Sequence, residues 1–167
     1  MKALILSLWF APALALALAS ADPDTKFYRA LAEGGNAEVT LGHLASDRAT
    51  DPAVKEFSSR MIKDHSAANQ ELAALATSKS ISLPDGLGMR GRAKEVELKA
   101  LRRGAFDKAY ISSQVKAHEE TISLLQKEIA SGKDADAQAF ARKILPTVRS
   151  HLSAAKKLAS SLQADSK

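Results

Sequence analysis

An all-α fold built on four long helices is what the composition, the hydrophobic spacing and the breakers of this chain predict. After residue 21, alanine, leucine, lysine, glutamate, glutamine and serine dominate, β-branched residues are sparse, and no run alternates apolar with polar. Most of these are helix formers, and half-buried strands would need alternation at period two. Apolar residues instead recur at steps of three and four, which places them on one helical face.

Met1–Ala21 reads as a secretory signal peptide: Lys2, an apolar run to Ala19, then the small-x-small triplet Ala19, Ser20, Ala21. Cleavage is expected after Ala21, leaving residues 22–167 as a single helical-bundle domain. The apolar run is interrupted by Ser7 and Pro12, and the DPDTK that follows has no cationic stop-transfer flank. No integral membrane span is therefore expected after cleavage, and the location is exported, periplasmic in a two-membrane cell. The chain has no cysteine, which excludes a lipid-anchored lipoprotein and every thiolate ligand or nucleophile.

Helix one is expected from Thr25 to Asp47, with Phe27, Leu31, Gly34, Leu41 and Ala45 on one face. Asp51-Pro52 is an N-cap and first-turn pair for helix two, which runs to about Ser78. Ser80–Gly88 is a loop by its Pro, Asp and Gly content, and a short basic helix follows over Arg92–Arg103, ended by Gly104. Helix three keeps Ile111, Val115, Ile122, Leu125 and Ile129 in register up to Gly132. Helix four, capped by Asp134 or Asp136, carries Phe140, Ile144, Val148, Leu152, Ala155, Leu158 and Leu162, with Pro146 inside it. Short links make antiparallel hairpins of helices one and two and of three and four. The long link between the hairpins predicts a ferritin-like four-helix bundle whose crossover carries the short extra helix. HSAANQELAAL from His65 and HLSAAKKLASSL from His151 echo one another across the two halves.

The net charge is +5. Much of it lies in the crossover, where Arg90, Arg92, Lys94, Lys99, Arg102 and Arg103 outnumber Glu95 and Glu97. Such a patch suits an anionic envelope surface or, more simply, a solvated face. Phe106 is the sole aromatic residue beside these charges and the one tryptophan lies in the leader, so nucleic acid is not an expected partner.

Four metal-capable residues occupy stripe positions, one per long helix. Glu38 falls in the series 31, 34, 38, 41; His65 lies between Met61 and Leu72; His118 belongs to 111, 115, 118, 122; His151 belongs to 144, 148, 151, 155. At about 1.5 Å of rise per residue, Glu38 pairs in depth with His65, and His118 with His151. Imidazole and carboxylate facing into a helical core are a bundle metal design suited to iron, manganese or zinc. Glu38, His65, His118 and His151 are the candidate ligands, with Asp64 supporting the site or replacing a ligand. His43 points away and Tyr110 is a half-buried neighbour. A metal-free hydrogen-bonded polar core is the competing reading. No nucleophile elbow is present.

The segments AEVTLGHLASDRATDPAVKEFSSRMIKDHSAANQEL, FDKAYISSQVKAHEETI and AFARKILPTVRSHLSAAKKL resemble the bacterial exported family known as domain of unknown function 4142. The resemblance runs from about Phe27 to Leu162. It rests on Glu38, the Asp64-His65-Ser66 run, Phe106-Asp107 with Tyr110, His118, and Leu145-Pro146 with His151. It implies a ferritin-like bundle of the cell envelope whose members are often labelled outer membrane proteins, and no assigned activity. The chain lacks the Glu-x-x-His pairs of di-iron ferritins, and it has no alternating strands for a barrel. The functional expectation is an exported bundle of unassigned activity that binds a core metal, with peroxide or superoxide as conceivable substrates. The alternative is a non-catalytic envelope stress or interaction protein with a polar core.

Overall fold

The computed structural model describes residues 22–164, so the expected signal peptide lies outside the described residues. These form five helices, α1 (Pro23–Arg48), α2 (Pro52–Ser78), α3 (Gly88–Ala100), α4 (Gly104–Ser131) and α5 (Ala135–Ala164), and no strand. Asp51 caps α2 by accepting from the amides of Ala53 (2.7 Å) and Val54 (3.4 Å). Asp134 does the same for α5, accepting from Asp136 and Ala137. Pro146 sits within α5 without ending it.

Two boundaries differ from the expectation. The short helix occupies Gly88–Ala100 rather than Arg92–Arg103, and Gly104 opens α4 rather than closing α3. The break is made by Leu101, which is extended, and Arg103, whose φ of 52° turns the chain into α4.

α1 packs on α2, and α4 on α5; contacts of α1 with α4 and of α2 with α5 close the ring, and α3 lies against α1 and α4. Both ends are tied. At one end the buried Asp107 of α4 accepts from the amide of Thr50 (3.1 Å), its hydroxyl (2.6 Å) and the amide of Asp51 (3.0 Å). Arg48 holds the crossover there by donating to the carbonyls of Lys99 and Leu101, with its guanidinium over the Phe106 ring. At the other end Tyr28 donates to Asp134, Lys79 pairs with Asp134 and Asp136, and the Lys133 amide donates to Asp24. α1 and α5 therefore run one way and α2 and α4 the other, and α3 carries the chain back along the molecule. These ties fix the axial register of the long helices at both ends.

Glu128 belongs to the second tie. Burial and the neighbouring Asp24 raise its carboxyl to about 7. A folded value above the unfolded one of about 4.3 means that its stability contribution is complete below that value and fades as pH rises through 7. Glu128→Gln is therefore expected to melt progressively higher than the wild type as pH rises from 5 to 8. Melting curves of both proteins across that range test it, and a constant gap would overturn it.

The apolar core comes in two blocks. One holds Leu41, Met61, Phe106, Ile111 and Ala155; the other holds Leu31, Leu72, Leu125, Phe140 and Val148. On each long helix the residues between the blocks are polar: Glu38, His65, Gln114 with His118, and His151. A polar layer thus crosses the middle of the core. Such a layer lowers stability unless its groups are satisfied.

Candidate metal centre

Three histidines meet in this layer. Ring centroids are 5.6 Å apart for His65 and His118, and 5.4 Å for each of the other two pairs. One ring nitrogen of each lies within 4.8 Å of the others. His118 and His151 are fully buried, and His65 is half-buried with its Nε2 sealed from solvent.

The outer nitrogens are held as donors. His118 Nδ1 lies 2.8 Å from the Gln114 carbonyl, which only accepts, so Nδ1 carries the proton. His151 Nε2 lies 2.8 Å from Asp64. Burial alone would raise Asp64, but its bonds to His151 and Arg60 outweigh that and keep it ionised. His151 Nε2 therefore carries its proton. This leaves His118 Nε2 and His151 Nδ1 as bare acceptors, and both are buried with no partner among the described residues, as is His65 Nε2. Desolvation holds His65 down to about 3, aided by the other two rings, and lowers His118 to about 4 and His151 as well. All three are neutral imidazoles at neutral pH, the form that ligates metals.

Glu38 is buried in the same layer, outside the group of mutually close ligand atoms. Burial raises its carboxyl to about 7 against a hydrogen bond from Gln114, and its Oε2 has no partner among the described residues. Asp64 supports His151 on the facing helix rather than its chain neighbour His65. His43 is exposed. Tyr110 is fully buried rather than half-buried, because it packs against Phe106 and Phe57. Gln114 went unread in the sequence; its signal is its place one turn before His118 on the same face. In the crossover, Lys94 pairs with Glu97, Lys99 with Glu95 and Arg90 with Glu120, while Arg92, Arg102 and Arg103 are exposed.

A cleft of about 330 Å³ reaches this layer, with Glu38, His65 and His151 among its lining residues. Its walls include Leu31, Leu72, Phe140, Ile144 and Val148, and Glu71 and Lys143 line it as well, paired with one another.

The sequence model of a family described as Domain of unknown function (DUF4142) matches residues 10–158. The chain belongs to the DUF4142 family. No curated protein matches this DUF4142 chain. Among solved structures it is similar to the crystal structure of a DUF305 protein from Streptomyces coelicolor, described as secreted. The TM-score is 0.72 at 12% identity, over 85% of this chain and 94% of that one. The likeness carries the helical fold. No described helix of this DUF4142 chain is long and apolar enough to cross a membrane.

Proposed function

We propose that the protein is an exported, ferritin-like four-helix bundle with a short crossover helix, and that it binds one transition-metal ion in its core through His65, His118 and His151. The observation that carries this reading is a set of three converging, buried ring nitrogens without partners, two of which, His118 Nε2 and His151 Nδ1, are bare acceptors because the opposite ring nitrogen donates. A buried acceptor left unpaired is destabilising by about 1–3 kcal/mol. Two such acceptors and the His65 ring converging on one point share one remedy, a cation.

Asp64 orients His151 and raises its basicity, as carboxylates behind ligating imidazoles do. Glu38 supplies the nearest buried carboxylate for charge balance. With three imidazoles and no carboxylate in the close set, zinc and iron fit better than manganese, which prefers oxygen donors. The absence of Glu-x-x-His pairs separates this centre from a di-iron one. Export is supported by the leader and by the secreted description of the structural neighbour.

Elemental analysis of untagged protein from its native compartment tests the reading, alongside His118→Ala and His151→Ala. About one metal per chain in the wild type and none in the variants is expected. Metal-free wild type that takes up neither zinc, iron, manganese nor copper would leave a polar-cored binding protein.

A further inference from the structure

We infer that the cleft beside the histidines binds a small amphiphilic anion, a monocarboxylate with an apolar tail of about six to eight carbons, its head on the metal and its tail along the cleft walls. This rests on the metal reading of the three histidines. The cleft's 330 Å³ is at the lower end for small-molecule sites. It equals roughly eleven waters at about 30 Å³ each, which admits about ten non-hydrogen atoms.

The walls decide the body of the ligand. Leu31, Leu72, Phe140 and Val148 present apolar surface from three helices and outweigh the polar lining of Asn69, Thr121 and Thr147, so a polar or sugar-like body would recover only part of its lost hydration. The histidines decide the head. His65 and His151 line the cleft, so an ion held there would be reached from it. Three neutral imidazoles bring no charge to the ion, and Glu38 and Asp64 lie outside the close ligand set, so an anionic oxygen donor bound directly to the ion adds compensation that those carboxylates give only at a distance. The reverse orientation is disfavoured, because Lys143 Nζ already donates to both oxygens of Glu71, at 2.8 and 2.7 Å.

The test is calorimetric titration of the zinc-loaded protein with acetate, butyrate, hexanoate and octanoate, and with the matching 1-alkanols. Carboxylate affinity should rise about three- to fourfold per methylene until the cleft is filled, with alkanols at least tenfold weaker. Thr147→Trp, at an exposed position lining the cleft, should keep its zinc and its acetate affinity and weaken octanoate at least tenfold. Ile144→Trp repeats this at the half-buried lining position three residues earlier in α5. With zinc bound, affinity independent of chain length, or alkanols binding as well as carboxylates, overturns the cleft assignment and leaves the metal centre standing. Failure to load zinc, iron, manganese or copper overturns both.

Discussion

The His118→Leu protein is expected to melt higher than the wild type in the absence of metal, and to lose the wild type's response to metal. His118 is 2% exposed, its Nε2 has no partner among the described residues, and it sits between two apolar blocks. Leucine has no polar atom to leave unpaired. The bond lost at Nδ1 frees nothing costly, since the Gln114 carbonyl lies inside α4 and faces the helical amide of residue 118 as well. The gain should be about 1–2 kcal/mol. For the wild type, metal at a thousand times its dissociation constant adds about 4 kcal/mol, or roughly 8–16 °C for a domain of this size. Thermal melts with and without zinc or iron(II) read both effects.

The same pair of proteins carries a pH signature. His65 and His118 have folded values of about 3 and 4 against about 6.5 unfolded. Their contribution is therefore present above 6.5 and is lost as pH falls through the folded values. Glu38, raised to about 7, works in the opposite sense over an overlapping range. His118→Leu removes one histidine contribution, so its advantage without metal should widen from pH 7 to pH 4. A gap that stays flat, or a metal-induced rise that survives the substitution, would refute this account of the centre.

The Asp107→Ala protein should lose about 3 kcal/mol, or roughly 6–12 °C, with Asp107→Asn between it and the wild type. The Asp107 carboxylate is 1% exposed and joins the start of α4 to the α1–α2 turn through both amides and the hydroxyl of Thr50 and Asp51. Alanine removes three bonds to a charged acceptor and empties the buried site of the carboxylate, while the donors of the exposed Thr50 and half-buried Asp51 turn to water. Denaturant titration gives the stability. A loss below about 1 kcal/mol would show that the helix ends are held by packing alone.

Residue spacing alone determined the helices, the stripe on each, and the presence of His65, His118 and His151 on core faces, because a helical face follows from a period of 3.6 whatever packs against it. Breakers were less legible: Gly104 opens α4 instead of closing α3, since the turn is made by the backbone of Leu101 and Arg103 and no local signal marks an arginine with positive φ. What only the tertiary structure decided is which of the four stripe residues meet. Tied ends and the ring order bring one nitrogen of each of the three imidazoles within 4.8 Å of the others, leave Glu38 with Gln114, and hand Asp64 to His151 across the helix interface. Contact between helices depends on their order and axial register, which are set by distant pairs such as Asp107 with Thr50 and Tyr28 with Asp134. No single helix encodes them.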